Sequence, residues 1–270
     1  MRHVYSFVLV FLLIAPAASA QTAGTCTTTG TATADLDINN VRARLYNNGG
    51  LFWRGAGNVY NVPKSPFGTE IQLTSRITAI APNAIFASGI WMGGKIDGEI
   101  RQAATGYGPW EFYPGPLTES GAPDDADCSN PRYDRIYLVS RRDLADYEQG
   151  RTLQDLRDWP TGLGAPTLTP AASDGIDNDG DGTTDEDGEM ARVDVMDQPL
   201  ADRKDRVIDL AAGERPDLIG DQMAWWIMND VAGPHGTTGS APMGLELHAT
   251  AYAYLAAGAL DHTTFYRYRM

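Results

Sequence analysis

The sequence predicts a mainly β protein, an antiparallel β-sandwich-like fold with short helices and one acidic loop. Three observations lead there. Short stretches of alternating apolar and polar residues recur along the chain, Gly and Pro separate them, and only two helix starts carry capping residues.

At the N-terminus, Arg2 and His3 precede the apolar stretch 4–14 and the small-residue run Ala15-Pro16-Ala17-Ala18-Ser19-Ala20. These are the three regions of a secretory signal, with cleavage expected after Ala20. The apolar core is shorter than the roughly 20 residues of a spanning helix. No later apolar run is long enough either, so the mature product is expected to be secreted or displayed at the cell surface with no transmembrane segment. Residues 1–20 thus form the signal, and 21–33 a flexible Thr-rich segment.

From residue 34 to 165 the pattern is that of strands. Val41-Arg42-Ala43-Arg44-Leu45 alternates, Asn47-Asn48-Gly49-Gly50 offers residues that tolerate positive φ, and Leu51-Phe52-Trp53 resumes, which predicts a hairpin. Residues 71–73 and 77–80 suggest a second strand pair. Residues 85–92 should turn through Gly93-Gly94 and return along 99–104, and Pro114-Gly115-Pro116 should form a rigid turn. A strand over 135–139 leads to Ser140, which with Asp143 predicts a capped helix through about Gln149. A further short helix is expected from Thr152 to Trp159-Pro160.

Residues 166–192 hold the acidic insertion. Between Asp174 and Glu189 the chain has eight acids and no base. Asp177, Asp179 and Asp181 stand at positions 1, 3 and 5 of a loop, with Gly182 at 6, Thr183 at 7 and Asp185 at 9. Calcium is a hard cation taking six to eight oxygens, and alternate carboxylates in a tight turn converge on one point, with Thr183 contributing its carbonyl. Position 12 is Gly188, so Asp187 or Glu189 must replace the usual bidentate Glu, or water must. No amphipathic helix pair flanks the loop. The spacing is similar to the calcium loops of thrombospondin type 3 repeats and dockerins, which implies a structural calcium ion.

Residues 193–270 return to strands. Residues 223–228, Met-Ala-Trp-Trp-Ile-Met, predict a buried strand. In 245–255 one face is Leu and Ala and the other carries Glu246, His248, Thr250 and Tyr252, so one face should be core and the other wet. Residues 263–270 should pair with it, and the pattern stops abruptly at Met270, as expected of a truncated chain.

The formal charge of −14 becomes −15 without Arg2, which argues against nucleic acid or an anionic membrane as partner and suits cations. The chain's two cysteines, Cys26 and Cys128, are expected to pair in an oxidising compartment, tying the Thr-rich segment to the loop after Pro116.

Catalytic motifs are sparse. The mature chain has His235, His248 and His262 and no G-x-S-x-G elbow, P-loop, dinucleotide fingerprint or zinc spacing. His235 lies in a Gly-rich loop without an evident partner. Six Trp and many carboxylates permit carbohydrate binding or glycoside hydrolysis. Trp91, Trp225 and Trp226 fall in strand patterns and are expected in the core, whereas Trp53, Trp110 and Trp159 lie near turns and are candidates for exposure.

Ile90-Trp91-Met92-Gly93-Gly94 with Phe112-Tyr113-Pro114-Gly115-Pro116-Leu117, then Gly220-Asp221-Gln222-Met223-Ala224-Trp225-Trp226-Ile227-Met228-Asn229-Asp230, then Pro242-Met243-Gly244-Leu245-Glu246-Leu247, occur in that order. Together they resemble the N-terminal region of large secreted proteins of the Bacteroidota, many of which end in a type IX secretion sorting domain. The resemblance implies an extracellular or surface protein with further domains and supplies no catalytic residue. The sequence therefore leads to two expectations: a non-catalytic adhesion-type or structural protein with a calcium loop, meeting glycans or extracellular proteins, or a carbohydrate-binding sandwich or part of a glycoside hydrolase.

Overall fold

The computed structural model describes residues 24–27, 29–53, 59–64, 83–108, 110–151, 153–171, 177 and 190–270. The signal segment and the strands expected over 71–73 and 77–80 lie outside them. Two antiparallel sheets of five strands each face one another. The outer sheet runs Thr33–Leu36, Arg42–Tyr46, Gly50–Leu51 and Ser88–Gly89, with Tyr60–Asn61 also on Arg42–Tyr46. The central sheet runs Phe265–Arg269, Glu246–Ala253, Gln222–Asn229, and then both Tyr113–Pro114 and Tyr137–Ser140 along the last strand's other edge. Leu36, Leu45 and Phe52 from the outer sheet meet Trp226, Met228 and Leu247 from the central one. This is the mainly β, sandwich-like architecture that the strand periodicity implies.

The central strand of this sheet, Gln222–Asn229, is buried on both faces. Successive side chains alternate across a strand, so Ala224, Trp226 and Met228 enter the sandwich core. Met223, Trp225 and Ile227 enter a second core with Leu156, Trp159 and Leu163. All eight residues of Gln222–Asn229 are buried as a result. Its two ends carry polar side chains. Gln222 Oε1 accepts from the Asp37 and Ile38 amides at 2.8 and 3.0 Å. Asn229 donates to the Gly115 carbonyl at 2.9 Å and accepts from the Val231 and Ala232 amides.

The wet face expected over 245–255 is covered too. His248 and Thr250 are buried, and the backbone at Gly164 approaches the His248 ring closely, part of a third layer that a two-face pattern does not announce. The strand Phe265–Arg269 pairs with Glu246–Ala253 as the sequence predicts.

The hairpin of residues 41–53 forms, with Leu45 opposite Leu51. The next one turns elsewhere than expected. Trp91–Ile96 runs straight through Gly93-Gly94 and turns at Asp97-Gly98, whose φ values of +52° and +88° suit a two-residue turn, before Glu99–Ala104 returns. The helix Arg141–Glu148 has the complete capping box: Asp143 N–H donates to Ser140 Oγ, and the Ser140 N–H donates to the Asp143 carboxylate at 2.7 Å. The second helix is only Gln154–Arg157, with no side-chain cap. Asp155 serves Arg135 and the Leu138 amide instead, so it is unavailable to the helix start.

A three-stranded sheet, Met190–Arg192, Thr167–Pro170 and Arg215–Pro216, stands beside the sandwich, and Pro170 opposite Met190 closes the base of the acidic insertion. Cys26 and Cys128 form the expected disulfide, with Cα atoms 5.5 Å apart. Cys26 packs on Tyr113 and Ala232, and its amide donates to the Ala232 carbonyl at 2.8 Å. No helix among the described residues is long and apolar enough to cross a membrane.

Candidate functional site

The hairpin Trp91–Ile96/Glu99–Ala104 carries an exposed face on which Trp91 stands 77% accessible. Its indole Nε1 donates to the Thr105 carbonyl at 2.7 Å, which fixes the ring. Residues 105–110 fold back through a Thr105–Trp110 bridge and present Tyr107, itself 70% exposed. Tyr107 meets Trp53 edge-on at 5.2 Å between centroids, and Trp53 stacks with Phe86 at 6.2 Å. Trp53, Trp91, Tyr107 and Trp110 line one groove of about 170 Å³, with Gly50 and Ser88 also on its wall. Aromatic rings offer flat apolar faces with a polar edge, and such a cluster left open to water is the usual make-up of a recognition surface rather than a core.

The groove is rigidly backed. Glu111, fully buried and next in sequence to Trp110, accepts from the Ala104 amide at 2.7 Å and from the Thr237 and Thr238 amides at 2.6 and 2.5 Å. It joins the hairpin to the loop 233–241. His235 makes the same connection: its Nδ1 lies 2.8 Å from the Gln102 carbonyl and its Nε2 2.7 Å from the Asp230 carbonyl. The ring thus bridges two main-chain carbonyls from separate segments of the chain. Carboxylates of Glu111 and Asp230 stand 3.7 Å away on either side. Burial pushes the Asp230 carboxyl upward, against the pull of the Leu245, Met243 and Gly244 amides and of His235. Burial, with the Glu111 charge, raises the Tyr113 phenol to about 12.

Glu111 thus has both oxygens engaged by main-chain and Thr238 donors, so the carboxylate nearest in sequence to the aromatic groove is structural. His235, which the sequence leaves without a partner, has four groups around it. His248 meets Glu246 at 2.7 Å, the neighbour expected for it, though it does so in a buried setting. His262 lies beside Asn40 at 3.3 Å.

Two tryptophans exchange their expected places. Trp91 is exposed because its side of the hairpin faces solvent with Gly93 and Lys95. Trp159 is wholly buried, with its indole donating to the Pro166 carbonyl at 3.1 Å. Trp53 and Trp110 are half-buried on the groove wall, and Trp225 and Trp226 are core as expected. Tyr107 and Phe86 escaped the sequence reading. The signal available for Tyr107 was its place between Gly106 and Gly108, where no apolar neighbour in sequence could bury it.

Of the candidate calcium ligands, Asp177 lies among the described residues, whereas Asp179, Asp181, Thr183, Asp185, Asp187 and Glu189 lie outside them. Among the described residues no group of three His, Cys, Asp or Glu is placed to hold a metal ion. Comparison with protein-family models, curated proteins and solved structures finds no match to this chain.

Proposed function

We propose that this is a secreted or surface-displayed, non-catalytic adhesion-type protein that binds carbohydrate through the groove of Trp53, Trp91, Tyr107 and Trp110. The observation that carries the reading is the exposed aromatic cluster on a stapled hairpin. Flat aromatic faces complement the C–H faces of sugar rings, and a surface fixed in advance loses little entropy on binding. The engagement of Glu111 by main-chain donors favours binding over hydrolysis, which needs two carboxylates free to exchange protons. The signal-like N-terminus and the likeness to large secreted proteins support the extracellular setting. The test is a glycan array followed by titration of the best ligand against Trp91→Ala. Saturable binding weakened at least tenfold by the substitution supports the reading, and an array without a single saturable ligand ends it.

The acidic insertion is proposed as a structural calcium site formed by Asp177, Asp179, Asp181, Thr183 and Asp185, with Asp187 or Glu189 completing it. Its spacing carries this reading, and the Pro170–Met190 pairing that closes its base assists by bringing the ends together before any ion binds. Calcium should raise the melting temperature and magnesium should do less, since magnesium keeps its waters. Calorimetry showing no heat of calcium binding up to millimolar concentration would remove the site.

A further inference from the structure

We propose a second ligand site, separate from the aromatic groove, that takes the carboxylate of an acidic saccharide, a hexuronate unit; this rests on the reading that the protein binds glycans. A cavity of about 510 Å³ lies between the edge strand Phe265–Arg269 and the segments 164–167 and 192–196. It shares no lining residue with the aromatic groove. Its volume falls in the range of ordinary small-molecule sites.

The strand's alternation makes the cavity basic. Tyr266 and Tyr268 turn into the sandwich core, so Arg267 and Arg269 belong to the opposite face, about 7 Å apart along the strand. Neither guanidinium makes an ion pair or hydrogen bond among the described residues, although the protein is strongly acidic and most of its described arginines are tied to carboxylates or carbonyls. Arg192 is matched by Asp217 at 2.9 Å. Asp194, which accepts only the Met196 amide at 3.0 Å, is the remaining acid on the rim. His248, across the ladder from Arg269, is answered by Glu246 and adds nothing to the balance. Among the described residues, two guanidinium groups without a side-chain partner against one such carboxylate leave the lining net positive.

That combination selects a class of ligand. A guanidinium presents a planar fork that matches a carboxylate through two parallel N–H bonds. Asp194 and Asp217 are acceptors for hydroxyl groups and would repel a compact dianion such as sulfate or phosphate. A ring bearing one carboxylate and several hydroxyls satisfies both halves of the wall, and a neutral sugar leaves the arginines unmatched.

The experiment titrates the full chain with trigalacturonate, its methyl ester, and inorganic sulfate. The acid should bind with an affinity that falls as salt rises, and the ester should bind at least tenfold more weakly. The double variant Arg267→Ala/Arg269→Ala should lower the affinity for the acid to that for the ester while leaving neutral-glycan binding at the groove unchanged. The pair Arg267→Lys/Arg269→Lys, which retains charge without the fork, should fall between. Trp91→Ala should leave the acid's affinity unaltered. The proposal is overturned if acid and ester bind alike, if acid binding survives the double alanine variant, if no acid binding is detected at ten millimolar, or if sulfate competes at the same concentration as the uronate. Acid binding that depends on the two arginines, in a protein that ignores neutral glycans, would uphold this site while removing the groove reading.

Discussion

Replacing Cys26 by Ala and Cys128 by Ser should destabilise the protein by an amount set by the unfolded chain. The bridge joins residues 102 apart in sequence. In the chain-entropy account, closing a loop of that length removes about 16 cal/mol/K from the unfolded ensemble, or about 4.7 kcal/mol at 25 °C. The native side should change little. The segment around Cys26 remains attached through the Gly24 and Cys26 amides, which donate to the Val231 and Ala232 carbonyls at 2.6 and 2.8 Å. It also remains attached through Asp134, which accepts from the Thr31 and Ala32 amides at 2.7 and 2.9 Å. Alanine suits position 26 because Cys26 is fully buried against Tyr113 and Ala232, where a serine hydroxyl would lack water. For a chain of this size the loss corresponds to a fall in melting temperature of roughly 10–20 °C. Urea denaturation of the oxidised protein and the double variant measures it directly, and the variant should also show a steeper denaturant dependence because its unfolded state is more open. Equal midpoints for the two proteins, with hydrogen-exchange protection lost only over residues 24–33, would refute the reasoning by showing that the bridge ties down an arm without constraining the global unfolded state.

Other outcomes follow from burial and charge. Trp159→Ala should cost about 3–5 kcal/mol in chemical denaturation, as expected for removal of a fully buried large ring, whereas Trp91→Ala should stay within about 0.5 kcal/mol because its ring is mostly in water. His235→Leu should cost about 1–3 kcal/mol, since it removes the buried ring that bridges the Gln102 and Asp230 carbonyls, and denaturation curves will measure that loss. Burial raises the Asp134 carboxyl, but hydrogen bonds from Thr31, Ala32 and Asn47 outweigh it and hold the group below the usual carboxylate range. A depressed native value contributes stability that is complete above the unfolded carboxylate range, near pH 4, and is lost as pH falls through the native value. Acid titration followed by the amide signals of Thr31 and Ala32 should therefore show that contact opening only below pH 4, and an Asp134→Asn variant should lack the transition.

The parts of this fold that sequence made legible are those whose signals are local. The Ser140–Asp143 capping box is complete within four residues, and the hairpin of residues 41–53 has its turn chemistry beside its alternation. The misplaced turn at Gly93-Gly94 shows the limit of such signals. Both Gly93-Gly94 and Asp97-Gly98 could reverse a strand, and the choice is made by the ladder of six pairs from Trp91–Ala104 to Ile96–Glu99, which is not a local property. The covered face of Glu246–Ala253 was illegible for a related reason. His248 and Thr250 read as wet because they are polar, yet both are buried, and a segment distant in sequence, at Gly164, closes on the His248 ring. The site divided in the same way. Trp53 and Trp110 were legible as turn-side aromatics, whereas the exposure of Trp91 depends on which face of its hairpin the loop 233–241 approaches. Burial of both ends of the Glu111–His235–Asp230 group depends on residues far apart in the chain and left no motif.

The double burial of Gln222–Asn229 has a consequence for how the strand finds its place. When only one face of a strand is apolar, a slip by one residue drives its whole core set into water, and the pattern polices itself. Here a slip would exchange Met, Trp and Ile for Ala, Trp and Met between two dry layers, so hydrophobicity alone barely distinguishes right from wrong. The discrimination falls to Gln222 and Asn229, whose amides find partners at Asp37, Ile38, Gly115, Val231 and Ala232 only in the observed alignment. Any shift strands them without water. These two polar ends are the vernier of the sheet: they contribute uniqueness of alignment to a strand whose apolar residues contribute its binding energy.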